Sequence, residues 1–336
     1  MVKPTPFKGF SHDVIFIDAI PGSGKSLLGP IISSFQNVER QTMGLFTIEH
    51  LLAASYLDIC DSRLAHQLIQ QIVAFNHYNM FIGRNVNMKL NDISGPLMNP
   101  HRLKYLFRLF TGSSGTDNDI NLLNNDNIAP LVKIHGCIYN LSTIREAFSM
   151  RLKFIELVRH PLDTIIPWIS AQDYYRNGLR GFSLRLDSNH IVYDYLRHPD
   201  HPDTCPLRQY NFLFKCIRNN FQANFHDFLL LPFEYFLFNS KICIDKLSDF
   251  LDRQPVSKQL RRALIQQKCD RYHSITSNRG FKQFQLYSTE PHELSISRDK
   301  ILSQLSQNYL SSDVYKLIEH VNWYNNFIED FSLNTN

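Results

Sequence analysis

Apolar residues along the chain follow two alternating patterns, and together they predict strands separated by helices. Short continuous runs rich in β-branched residues, leucine and phenylalanine occur at 14–17, 129–135, 154–159 and 226–233. Each reads as a short strand, the first covered on both faces. Elsewhere apolar residues return at steps of three and four: Leu27, Leu28, Ile31 and Ile32 after the first strand, then Leu51, Leu52 and Tyr56, then Leu64, Leu68 and Ile72. This spacing predicts one helix running on to about residue 36 and others over 46–60 and 62–75. Further helices are expected over 101–110, 141–150, 162–175, 207–221, 240–251, 256–268, 299–309 and 313–331. Strands alternating with helices indicate an α/β fold, a doubly wound parallel sheet in a single domain spanning 1–336. Residues 46–110 read as a helical insertion. The polar run at 111–128 reads as a mobile surface loop, and 177–205, with Gly178, Gly181, Pro199 and Pro202, reads as a loop able to lie over an acceptor.

Between the first strand and its helix, Pro21, Gly22, Ser23 and Gly24 interrupt the apolar pattern, and Lys25 and Ser26 follow. A tight turn leading from a strand to a helix N-terminus aims several backbone N–H groups at one place, where an anion can be held. The stretch fits a relaxed P-loop, with Ala19 standing where the first glycine of the strict pattern would be. The expected ligand is a phosphate group.

Composition narrows the class. Lys and Arg number 35 against 31 Asp and Glu, a formal charge of +4 with a pI near 8.6. That balance is too mild to argue for nucleic acid, yet it suits a local basic pocket for a small polyanion. The N-terminus has no apolar core of signal-peptide length, and no run approaches the about 18 apolar residues a membrane helix needs. The six cysteines are scattered without C-x-x-C spacing. These features predict a cytoplasmic protein with reduced thiols, without a zinc site or membrane segment.

Three stretches, taken together, resemble the sulfotransferases that use 3′-phosphoadenosine 5′-phosphosulfate (PAPS). Those enzymes carry a P-S-G loop that binds the 5′-phosphosulfate, a K-x-H element beside the acceptor, and an R-x-P element for the 3′-phosphate. This chain has P-G-S-G-K-S at 21–26, V-K-I-H at 132–135 and L-V-R-H-P-L-D at 157–163, in the same order. The segment L-L-L-P-F-E-Y-F, followed by C-I-D-K-L-S-D-F-L-D, is similar to the family's Y-E-D strand and its following helix. The resemblance thus runs from residue 14 to about residue 255. It implies PAPS as donor, no required metal, and a small-molecule or carbohydrate hydroxyl or amine as acceptor.

Sulfuryl transfer needs negative charge stabilised on the bridging oxygen, in-line placement and removal of the acceptor's proton. By resemblance, His135 is the base, Lys133 and Lys25 are the catalytic cations, and Pro21, Gly22, Ser23, Gly24, Lys25 and Ser26 bind the phosphosulfate. Arg159 binds the 3′-phosphate with a planar charged fork. The chain departs from the family's pattern at three points. Gly22 stands where many members have a basic residue, and Pro167 replaces a serine eight residues after the motif arginine, leaving Ser170 as its substitute. S-N-R-G at 277–280 is the counterpart of a late R-K-G element, which assigns Arg279.

Other readings of the same residues stay open. Arg159 and Asp163 are spaced for an ordinary helix-surface ion pair, and Lys133 can be a solvated residue at the sheet edge. Glu39 is a reserve base, while Trp168, Tyr174 and Tyr175 suit either an acceptor ring or the core. A P-loop kinase using ATP and Mg²⁺ is the rival enzyme, and a nucleotide-binding protein without turnover is a third class.

Overall fold

The computed structural model describes residues 12–42, 46–84, 103, 107, 127–177, 205–267, 269 and 291–333. Its centre is a parallel sheet of five strands: β1 (Val14–Asp18), β2 (Val38–Thr42), β3 (Ala129–Lys133), β4 (Leu152–Val158) and β5 (Phe228–Pro232). The strand order is β2-β3-β1-β4-β5. Every residue of β1 and β3 is buried, so helices cover both faces of the centre, which is the doubly wound α/β arrangement. Phe16 of β1 stacks on Phe154 of β4, which stacks in turn on Phe228 of β5. Phe148, closing the helix Leu141–Phe148, tilts onto Phe16 from above that row. These cross-strand rings pin the register across three strands.

Two local features differ from the sequence reading. The pattern shows four strands, and β2, V-E-R-Q-T, escapes it because an edge strand of mixed polarity has no apolar run to betray it. Its pairing with β3 is irregular, passing from Val38↔Ala129 to Gln41↔Leu131 across Pro130, which has no N–H to give to a ladder. The first helix is also much shorter than the spacing predicts. A 3₁₀ turn, Lys25–Leu27, leads into the helix Leu28–Ile32, and Phe35 then bridges to Pro255. Pro30 lies in the first turn of that helix, where a missing N–H costs little.

The remaining helices fall near their predicted places, although Ser62–Phe81 runs six residues further, and Pro291–Asn308 begins eight residues earlier, than the spacing predicts. They include Phe46–Tyr56, Ser62–Phe81, Pro161–Asn177, Pro206–Gln222, Ser240–Leu251, Ser257–Gln267, Pro291–Asn308 and Ser311–Leu333. A short helix that the sequence does not betray, Phe233–Phe238, follows β5 directly. Of the expected helix over 101–110, Leu103 and Phe107 are described and helical. The loops expected at 111–128 and 177–205 fall outside the described residues except at their ends. Among the described residues no helix is long and apolar enough to cross a membrane. All six cysteines are free thiols.

Candidate active site

β1 lies between β3 and β4, so the chain's crossovers part on either side of it, and a ligand crevice is expected at its C-terminal end. The loop at 21–26 stands there. Asp18 closes β1 fully buried, and three backbone N–H groups saturate its carboxylate. Ala19 donates to Oδ1 at 2.8 Å, Gly136 donates to Oδ1 at 2.6 Å, and Cys137 donates to Oδ2 at 2.6 Å. The turn after β1 is thereby tied to the turn after β3. Burial raises the Asp18 carboxyl above its ordinary range, with Lys25 and these donors pulling it back.

Lys25 is turned inward beneath the loop. Its Nζ lies 3.7 Å from Asp18 Oδ1 and donates to the Ile134 carbonyl and, at 3.4 Å, to that of Ala19. Burial lowers its pKa, opposed by Asp18 and Glu49. Above it the loop is bent by two glycines in the left-handed region, Gly22 at φ +99° and Gly24 at φ +84°. A Cβ on Gly24 would lie 2.2 Å from the Phe233 ring, so glycine is required there. The Ser23 and Leu27 N–H groups are spent internally on Ile20 O and Gly24 O. No hydrogen bond from the N–H groups of Gly24, Lys25 and Ser26 is formed among the described residues. Such a set of N–H groups is chemically able to cradle an anion.

Lys133 and His135 approach this cradle from the end of β3. Lys133 is buried, and its Nζ donates to the exposed Ser26 Oγ at 3.4 Å, which corrects the picture of a solvated edge lysine. His135 is one-fifth exposed, and its Nδ1 lies 2.8 Å from Glu49 Oε1. The Phe46 ring stacks over the imidazole with centroids 6.4 Å apart and planes 18° from parallel. Both Glu49 and Phe46 come from the helix Phe46–Tyr56, which the sequence reading set aside as part of an insertion. A signal for Glu49 did exist. It shares the inward stripe with Ile48 and Leu52, where a carboxylate is out of place.

Arg159, just past β4, reaches back to the loop, with Nη1 donating to Gly22 O at 3.2 Å and the guanidinium 5.3 Å from the Phe233 ring centroid. The alternative pairing with Asp163 is not formed. Arg298 of the helix Pro291–Asn308 takes that carboxylate with both arms of its fork, Nε at 3.1 Å and Nη2 at 2.8 Å. His160 is likewise structural. Its backbone N–H donates to Glu234 Oε1 at 3.0 Å, and Glu234 also accepts from the Tyr324 hydroxyl. Burial among Arg298 and Arg159 lowers the His160 pKa to about 4, so this imidazole is neutral.

The fold therefore brings Pro21 to Ser26, Lys133, His135 and Arg159 to one end of the sheet. The Ser170 side chain and Arg279 lie outside the described residues, as do the side chains of Tyr174 and Tyr175. Trp168 belongs to the core, where its indole N–H donates to Pro206 O at 2.9 Å. Glu39 is buried on β2.

No protein-family model matches the chain, and no curated protein matches it. Among solved structures it is similar to the sulfotransferase domain of the Synechococcus PCC 7002 olefin synthase. The identity is 14%, covering 94% of this chain and 96% of that one, with a TM-score of 0.44. It is similar also to the sulfotransferase domain from the curacin biosynthetic pathway, at 14% identity over 93% and 98% of the two chains, with a TM-score of 0.41. Likeness this distant assigns no role to any residue.

Proposed function

We propose that the chain is a sulfotransferase that moves a sulfuryl group from PAPS to a hydroxyl or amine of a small-molecule or carbohydrate acceptor. The observation that supports it best is the convergence of three separate motifs on one loop. Lys133 reaches Ser26 Oγ at 3.4 Å from one side of β1, and Arg159 reaches Gly22 O at 3.2 Å from the other. In this reading the N–H groups of Gly24, Lys25 and Ser26 hold the 5′-phosphosulfate, and Lys133 neutralises charge on the bridging oxygen as it leaves. Arg159, with its fork unclaimed by Asp163, binds the 3′-phosphate. His135 takes the acceptor's proton.

The kinase reading would need a carboxylate at a strand end to hold Mg²⁺. Asp18 is at such a place, but its oxygens already accept from three backbone N–H groups and face Lys25. The test is direct. The protein is incubated with ³⁵S-labelled PAPS and a panel of alcohols, phenols, amines and sugars without metal, and in parallel with labelled ATP and Mg²⁺. Metal-independent sulfate transfer, abolished in His135→Ala with affinity for adenosine 3′,5′-bisphosphate retained, is the expected result. Phosphate transfer from ATP overturns it, and tight binding of the bisphosphate with no turnover on any acceptor points to the binding protein.

A further inference from the structure

Glu49 belongs to none of the three motifs, yet it is held where a carboxyl needs a reason. The helix Phe46–Tyr56 turns it inward at 7% exposure, with Oε1 on His135 Nδ1 at 2.8 Å and Oε2 without a partner among the described residues. Leaving one buried carboxyl oxygen unsatisfied weakens a fold. The same helix supplies Phe46, whose ring lies nearly parallel to the imidazole with centroids 6.4 Å apart. One element thus brings both an aromatic ring and a carboxyl to a single histidine.

We propose that Glu49 is a positioning residue for His135: it engages the imidazole at Nδ1, selects the tautomer that presents Nε2 to the acceptor, and stabilises the imidazolium formed there. This inference rests on the sulfuryl-transfer reading of the site. In that step the acceptor's O–H bond breaks and its proton passes to Nε2. A bond forms from the acceptor oxygen to sulfur while the bond from sulfur to the bridging phosphate oxygen breaks, its electron pair leaving on the nucleotide product. His135 gains one positive charge, and Glu49 faces it across the hydrogen bond.

The groups around this pair come from every element packed on it: Asp18 from β1, Lys25 from the loop, Lys133 from β3, and Cys137 and Tyr139 from the turn beyond. Burial, reinforced by the Asp18 charge, pushes the Glu49 carboxyl well above its ordinary range, and Lys25, the His135 backbone N–H and, more weakly, Lys133 pull it back.

Two measurements on Glu49→Gln test the proposal. The first is ¹⁵N NMR of ring-labelled histidine across pH, with His135→Asn used to identify the resonance, and it requires no substrate. The expected result is a protonated Nδ1 in the neutral wild-type ring, and a titration midpoint that falls by about one pH unit or more in the variant once the anionic partner is gone. The second is steady-state kinetics. The expected kcat falls about 10- to 100-fold with the KM for PAPS unchanged, and the acid limb of kcat/KM moves to lower pH. Glu49→Asp, which keeps the charge, should recover part of kcat and most of the midpoint, and it serves as the second variant should the glutamine protein fold poorly. An unchanged His135 tautomer and midpoint, or an unchanged kcat, overturns the proposal. If the wild-type protein transfers no sulfuryl group, the sulfuryl-transfer reading falls, and the NMR result still decides whether Glu49 governs the imidazole.

Discussion

Gly22 and Pro167 touch so closely that a Cβ on the glycine would lie 2.9 Å from the Cβ of the proline. Two of the three positions at which the chain departs from the sulfotransferase pattern are thus two sides of one contact between the loop and the helix Pro161–Asn177. With Gly22 also at φ +99°, no basic side chain can stand there. For the proposed sulfuryl transfer the cation at the leaving oxygen has to come from elsewhere, and Lys133 reaches Ser26 Oγ at 3.4 Å.

Gly22→Ala is expected to destabilise the fold by about 1–3 kcal/mol through backbone strain and overpacking. Pro167→Gly removes the colliding atom but not the strain, so the penalty of Gly22→Ala should shrink in the Pro167→Gly background without vanishing. Urea unfolding of the four proteins of this double-mutant cycle measures the coupling, and strictly additive effects would deny the contact.

Lys25 and Lys133 should separate by what their loss does. Lys25→Met leaves Asp18 buried without its cation and should cost about 3–5 kcal/mol of stability. Lys133→Met should instead lower kcat on the order of 100-fold, the scale of removing one charge-stabilising donor. Unfolding midpoints and kcat, measured on both variants, decide this. A Lys25→Met protein of normal stability and low kcat would reverse the two roles.

For the anion site, Arg159→Ala should weaken adenosine 3′,5′-bisphosphate binding roughly 10- to 100-fold and leave AMP binding nearly unchanged, because a charge-assisted contact to the 3′-phosphate is lost. Asp163→Asn should do the opposite. It releases Arg298, costing about 1–3 kcal/mol of stability with little effect on nucleotide selectivity. Calorimetry with both nucleotides distinguishes the pair.

Glu156 is expected to make the stability of the fold depend on pH. It lies opposite Asp18 in the sheet register, fully buried, with neither carboxyl oxygen hydrogen-bonded among the described residues. Burial, reinforced by the Asp18 charge, pushes its pKa well above the ordinary 4.5. The folded protein keeps this proton where the unfolded chain releases it, so stability falls as pH rises from 4.5 toward the folded pKa. Glu156→Gln, neutral at every pH, should gain stability relative to wild type at pH 8 compared with pH 5. Equal differences in urea unfolding at the two pH values would rule this out.

The strand-loop-helix unit around residues 14–32 and the strands β3, β4 and β5 were legible because deeply buried parallel strands leave short apolar runs. β2 was not, since an edge strand needs only one inward face and V-E-R-Q-T provides no such run. Glu49 was passed over for a related reason. A single acid on an apolar stripe reads as noise until its partner, 86 residues away, is seen beside it.

The sequence by itself determined the α/β class, the strand-turn-helix loop at 21–26, and the identity of the residues gathered at the strand ends, because these depend on local periodicity and turn chemistry. The tertiary structure alone decided where the side chains point. The Gly-Lys-Ser spelling cannot say whether a lysine faces a ligand or the interior. Asp18 and the Ile134 carbonyl draw Lys25 inward, Arg298 claims Asp163 and leaves Arg159 to the loop, and Glu49 claims His135. Each of these is a pairing between segments distant in the chain, and a charge in a buried site takes its direction from the partner that packing brings within reach.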